Sequence, residues 1–282
     1  MIVVDRPRSI GTVPVRFRCH TVWSVPIVSH GVVLPPTSLR MGGSNFASDE
    51  QFLQGGINDV RLLEEAAGLT GDDVVFDWGC GAGRLLVGIR QTLGNVRSYH
   101  GVDVQPDLIA WASANLADSH AKFSLSDTYN ERYNPDGLKG PYLPAAPESV
   151  DVFYAYSVFS HMLEAHTSMY LQALSSCLQW SGRAMITAFV EDDVPACVEN
   201  PSSYGPLEWS GRLHCVLYNK RFFEALISAA GLQVTSFSHG VETDGQSRYV
   251  LAKEVVLDSN DAALASGEPT AAGSRPSGVS QL

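Results

Sequence analysis

The chain has 282 residues, with 19 Lys and Arg against 30 Asp and Glu, a formal net charge of -11 and a pI near 5.1. With 45% hydrophobic residues and a mean hydropathy of +0.00 it can bury one full-sized core, which excludes disordered, collagenous and coiled-coil classes. The acidic balance opposes an extended nucleic-acid backbone as partner, and no run approaches the roughly 20 apolar residues of a bilayer span.

The opening MIVVDRPRSIGTV lacks the apolar core of a secretory signal, so the expectation is a cytoplasmic protein that engages neither nucleic acid nor membrane. Cys19, Cys80, Cys177, Cys197 and Cys215 are scattered and odd in number, without CxxC or zinc-ligand spacing, and read as reduced thiols. In the first 49 residues, Pro7, Pro14, Pro26, Pro35 and Pro36 forbid a long helix, while Val22, Trp23, Ile27, Val32 and Leu34 need cover. This arm is expected to wrap the main domain, close a pocket or join a homodimer.

Residues 50–67 carry Phe52, Leu53, Ile57, Val60 and Leu63 at helical spacing, with Gly68 as a stop. VVFDWG at 74–79 reads as a buried strand entering a glycine turn, followed by a helix to about 93 and a strand at 98–104. Pro106 opens a helix to 117, and AKFSLSD at 121–127 returns to the sheet. A strand at 150–159, a helix over about 162–179 and a strand at 183–190 continue the alternation. NKRFFEALISAAG then forms a helix closing at Gly231, followed by LQVTSFSH and SRYVLAKEVVL. Strands separated by helices specify an α/β fold, a mostly parallel sheet with helices on both faces and ligands at the strand C-termini. The Ala-, Ser-, Gly- and Pro-rich residues 259–282 read as a flexible tail, leaving 50–258 as the catalytic domain.

The most informative stretch is VVFDWGCGAGRLL, residues 74–86. Gly79, Gly81 and Gly83 follow the strand directly, allowing a tight turn and close ligand approach. Asp77 precedes the loop, where a carboxylate can meet an ammonium, and Asp103 ends the next strand, where it can accept ribose hydroxyls. The spacing is GxGxG rather than the dinucleotide GxGxxG, and Asp77 is an awkward neighbour for a pyrophosphate.

These residues resemble the first motifs of the class I S-adenosylmethionine-dependent methyltransferases, with DWGCGAGR as the glycine loop. The resemblance, over about residues 55–255, implies a Rossmann-like seven-stranded sheet with a C-terminal antiparallel hairpin and S-adenosylmethionine as cofactor. It implies Gly79, Cys80, Gly81 and Gly83 lining the cofactor, Asp77 near its methionine portion, Asp103 on ribose, Val104 against adenine, Asp127 near the adenine amino group and Tyr156 at the methyl end. SVFSH at 157–161 is similar to a version found in bacterial small-molecule methyltransferases, where it faces the reaction centre.

His161 is the candidate general base, since an imidazole of near-neutral pKa can remove a hydroxyl proton. Glu164 and His166 point around the helix in other directions. Tyr204, Trp209, His214 and Tyr218 offer aromatic faces, with His214 and Tyr218 the substrate-contact candidates. Glu191, Asp192 and Asp193 could bind a metal or a cationic acceptor, a solvated acidic turn accounts for them as well, and no metal is expected. Arg40, Gly42 and Gly43 lie in a candidate lid. The function expected is methyl transfer to a small-molecule acceptor, with a hydroxyl oxygen of a sugar or secondary metabolite favoured over nitrogen. A nicotinamide-dependent oxidoreductase and a non-catalytic cofactor-binding partner are the alternatives.

Overall fold

A computed structural model describes residues 27–29, 31–138, 140, 142–205 and 207–254. The tail expected at 259–282 and residues 1–26 of the arm lie outside the described residues. Two short antiparallel strands, β1 (Ile27–Ser29) and β2 (Val32–Leu34), begin the described chain. After two 3-10 turns comes α1 (Asp49–Ala67), whose start is fixed by a reciprocal cap between Ser48 and Gln51 and whose end is fixed by Gly68 at φ 69°. Its buried stripe is Phe52, Leu53, Gly56, Asp59, Val60 and Leu63, helical spacing with one acid inside it.

The alternation then runs β3 (Val74–Trp78), α2 (Arg84–Thr92), β4 (Ser98–Asp103), α3 (Pro106–Asn115), β5 (Ala121–Leu125), β6 (Val150–Ala155), α4 (Glu164–Cys177) and β7 (Leu178–Glu191). Pro106 occupies the start of α3, as its fixed φ and missing N–H favour. The chain ends with β8 (Cys197–Glu199), β9 (Val216–Asn219), α5 (Lys220–Ala229), β10 (Leu232–Ser238) and β11 (Ser247–Lys253). Asn219 caps α5 by accepting from the Phe222 N–H.

The main sheet has the order β10-β11-β7-β6-β3-β4-β5. β7, β6, β3, β4 and β5 are parallel, whereas β11 is antiparallel to both β7 and β10. This is the Rossmann-like seven-stranded arrangement with its C-terminal hairpin. The central strands are buried on both faces: one side packs Val60, Leu86 and Trp111 from α1, α2 and α3, the other Tyr170, Leu174 and Phe223 from α4 and α5.

The chain runs outward from β3 to β5, then returns to the other side of β3 as β6. A crevice therefore opens between the C-terminal ends of β3 and β6. β7 overshoots the sheet, and its last residues, Phe189 to Glu191, pair in parallel with β9, which also holds β8. The sequence pattern did not signal β8 and β9, and they bring residues 207–214 over the crevice.

Candidate active site

The crevice is a cavity of about 850 Å³, at the large end of the range for small-ligand sites. Its floor is the turn from β3 into α2. The Gly79 and Cys80 amides donate to the Val102 carbonyl at 2.8 and 3.1 Å, and Gly83 N–H closes on the Cys80 carbonyl at 2.9 Å. Gly79, Gly81 and Gly83 all have positive φ, which L side chains adopt at a cost. A Cβ built on Gly81 would meet nothing nearer than Met41 at 3.8 Å, so here the backbone faces open cavity.

Asp103 accepts from the Gly81 N–H on one oxygen and from the Gln105 N–H on the other, both at 2.9 Å, locking it at the loop with lone pairs to spare. Burial raises its pKa. Asp77 is almost fully buried and accepts from the Tyr99 hydroxyl at 2.6 Å. Burial, reinforced by the nearby Asp59, pushes its pKa up to about 7. Cys80 and Val104 also line the cavity, and burial keeps the Cys80 thiol protonated.

Arg84, the first residue of α2, donates to Asp59 of α1 at 2.8 Å. Its guanidinium lies 4.5 Å from the Phe46 ring centre and 5.3 Å from that of Tyr156. Burial opposes this charge, yet Asp59 and the neighbouring tyrosines hold its pKa above the ordinary value. Beside it, the buried Tyr154 hydroxyl lies against Asp59 and Arg84 but makes no well-formed hydrogen bond among the described residues. Two buried carboxylates without a cationic partner, Asp77 and Asp103, and a bare glycine backbone fit a polar, positively charged ligand with hydroxyl groups.

The described part of the arm covers this end. Leu39, Met41, Gly42, Gly43, Asn45 and Phe46 line the cavity. Arg40 points away from it, bonding the Pro35 carbonyl at 2.9 Å and pairing with Asp49, so it anchors the arm. On the far side Tyr156 is held by Thr243 at 2.8 Å and Glu242 at 3.2 Å. Ser157 sits at φ 57°, a strained position for a serine, fixed by bonds to Thr187 at 2.7 Å and Gln246 at 2.9 Å.

The opposite end is walled by Phe189, Trp209, His214, Tyr129, Tyr133 and His161. His161 Nδ1 lies 2.8 Å from the Leu213 carbonyl, an acceptor only, so Nδ1 carries the proton and Nε2 its lone pair. Nε2 is 3.3 Å from the Tyr133 hydroxyl, which donates to it. Burial lowers the His161 pKa to about 4, so the near-neutral imidazole expected from sequence is instead a weak base.

Two expected site residues lie elsewhere. Tyr218 is fully buried, donating to the Met162 carbonyl at 2.7 Å and bonding Thr167 at 2.9 Å, because β9 turns it into the core beside Phe223. Asp127 is half-buried and outside the cavity wall, where its neighbours Thr128 and Tyr129 stand instead. His166 does reach the wall, whereas Glu164 is exposed. Glu191 bonds His239 at 3.2 Å, and among the described residues no group of three or more His, Cys, Asp or Glu is placed to hold a metal ion. Among the described residues, too, no helix is long and apolar enough to cross a membrane.

Residues 76–184 match the family model described as a methyltransferase domain. The chain carries a class I S-adenosylmethionine-dependent methyltransferase-like domain. Among solved structures, the methyltransferase-like domain is similar to the [4+2]-cyclase SpnF at 14% identity, covering 72% of this chain and 82% of that one with a TM-score of 0.52. A Leishmania major SAM-dependent methyltransferase aligns at 13% identity, 76% and 78% coverage and a TM-score of 0.51. The geranyl diphosphate C-methyltransferase of Streptomyces coelicolor A3(2) aligns at 13% identity, 78% and 90% coverage and a TM-score of 0.50. At these identities the likeness shows the fold alone.

Proposed function

We propose that the protein binds S-adenosylmethionine and transfers its methyl group to a hydroxyl oxygen of a small-molecule acceptor. One observation carries this reading: the glycine loop with Asp77 and Asp103 opens at the strand switch into the same cavity as the aromatic wall around His161. S-adenosylmethionine, when bound, supplies a methyl group on a positively charged sulfur, already activated toward a nucleophilic oxygen. In this chain Gly79 to Gly83 give backbone approach and Asp103 the ribose contact. Asp77 and Arg84 offer opposite charges to the amino-acid end, and residues 39–46 exclude water. His161 Nε2 exchanges the Tyr133 hydroxyl for the acceptor hydroxyl, accepting its hydrogen bond and orienting it. With so weak a base, placement supplies most of the rate. A nicotinamide dinucleotide is disfavoured, since its two phosphates would meet Asp77 and Asp103, buried carboxylates without a cationic partner.

Calorimetric titration with S-adenosylmethionine and S-adenosylhomocysteine tests the reading. Both bind the natural chain, and Asp103→Ala weakens each about tenfold or more, the range of a lost hydrogen bond to a charged group. No binding by the folded natural chain overturns it. The weak basicity of His161 also favours a second reading, catalysis or binding that uses the cofactor without methyl transfer. SpnF, of similar fold, is described as a [4+2]-cyclase. S-adenosylhomocysteine release during an acceptor screen supports methyl transfer, and tight cofactor binding with no release across acceptor classes supports the second reading.

A further inference from the structure

Two arginines line the cavity, and they differ in one respect. Arg84 at the cofactor end is neutralised by Asp59. Arg132, at the aromatic end, forms no ion pair among the described residues. In a chain with 30 acids against 19 Lys and Arg, an arginine left without a carboxylate is unexpected. The nearby acids are engaged elsewhere: Glu131, adjacent in sequence, bonds Arg212 at 2.5 Å, and Glu199 reaches the same Arg212 nitrogen at 3.5 Å. Asp244, the acid on the cavity wall at this end, lies within electrostatic reach of His214 but makes no ion pair with Arg132. Among the described residues Arg132 Nε is buried with no hydrogen-bond partner, and Nη1 makes only a long bond of 3.5 Å to the Arg212 carbonyl. Burying a guanidinium donor without an acceptor is costly unless a ligand completes it.

The surroundings describe that ligand. The Arg132 and Tyr133 backbone amides both donate to the Asn130 side chain, at 2.9 and 3.0 Å, so the turn carrying them is built rather than loose. The guanidinium carbon is 5.4 Å from the Tyr133 ring centre, and Tyr133 contacts His161, the group placed at the acceptor hydroxyl above. Arg132 is near enough for its charge to act on His161 and His214, and all three line the same end of the cavity.

We propose that Arg132 is an anion subsite, and that the acceptor is a small, flat hydroxylated compound bearing a carboxylate or phosphate group which the guanidinium fork holds. The planar fork matches either group through two parallel N–H bonds, and Tyr129, Tyr133 and Trp209 supply flat apolar contact. This inference rests on the methyltransferase reading for the word acceptor, but the anion site is testable without it.

The experiment titrates 4-hydroxybenzoate, phenyl phosphate, inorganic phosphate and the neutral 4-hydroxybenzamide into the natural chain, Arg132→Gln and Arg132→Lys, each with and without S-adenosylhomocysteine. The anionic ring compounds bind the natural chain about tenfold or more tighter than the amide, and Arg132→Gln abolishes that preference. Arg132→Lys, which keeps charge but loses the fork, restores part of it. Preference for 4-hydroxybenzoate over phenyl phosphate assigns a carboxylate and the reverse a phosphate; inorganic phosphate alone matching both rings overturns the flat-acceptor part. Equal binding of acid and amide, equal acid binding by Arg132→Gln, or no binding of either acid overturns the proposal. Unchanged S-adenosylhomocysteine affinity in both variants shows that they fold. Arg132-dependent acid binding by a chain that binds no S-adenosylhomocysteine overturns the methyltransferase reading and leaves the anion site standing.

Discussion

Asp77 is held by the fold at a cost to the fold. Its pKa rises from the ordinary 3.8 to about 7 because burial removes water and Asp59 adds repulsion, against the help of the Tyr99 hydroxyl. Between these values the folded state binds the proton more readily than the unfolded state, so stability falls as pH rises from about 4 to about 7, then stays low. Asp77→Asn removes this decline. The variant is expected to be about 1–3 kcal/mol more stable than the natural chain at pH 8 and little different at pH 4, by urea unfolding at both. It also loses affinity for S-adenosylmethionine at pH 8. A variant no more stable at pH 8 would show that the carboxylate is already solvated. His161 and His100 act with the opposite sign. Burial lowers both pKa values to about 4, so the unfolded state takes up protons first, and stability falls as pH drops from about 6.5 to 4. An acid limb therefore persists in Asp77→Asn.

At the scale of elements, the contact that sets the Asp59–Arg84 pair is the close approach of α1 to α2. A Cβ on Gly88 would come within 2.1 Å of the Gly56 carbonyl, and one on Gly56 within 2.5 Å of the Arg84 carbonyl, both rigid backbone atoms. Gly88→Ala must push the helices apart, with an expected loss of about 2–3 kcal/mol in denaturant unfolding and weaker cofactor binding as Arg84 shifts. Wild-type stability in that variant would mean that α1 slides freely. The helices themselves were legible in sequence because caps, Pro106 and Gly68 mark their ends and apolar spacing marks their faces. Strands β3 and β6 were legible as short, mostly apolar runs, and β4 by its place between two helices. β9 was not, since its four residues carry no alternation and exist as a strand only by pairing with the overhang of β7. That same pairing turns Tyr218 inward, although its place before a helix start suggested the site. Asp59 did leave a signal, an acid inside the buried stripe of α1 that must find a cation. Arg132 left none, because its place follows from the ion pairs that Glu131 and Glu199 make with a distant arginine.

Across the whole molecule these local charges combine into a polarised cavity. The cofactor end holds Asp59, Asp77 and Asp103 against Arg84, and the aromatic end holds Arg132. Surrounding them is a chain of net charge -11. Such a field raises the local concentration of a cation and speeds its capture, an effect that falls with ionic strength. S-adenosylmethionine carries a sulfonium charge that S-adenosylhomocysteine lacks, with the same nucleoside and amino-acid groups, so the pair isolates this effect. Stopped-flow association of S-adenosylmethionine should slow several-fold as salt rises from about 20 to 300 mM, while that of S-adenosylhomocysteine changes little. On the proposed methyl transfer, the ligand left behind is neutral and the field that drew its precursor in no longer holds it, which favours product exchange. Parallel salt dependence for the two ligands would mean that the surface charge is screened from the cavity mouth. Discrimination between them would then arise only from contacts within the buried floor.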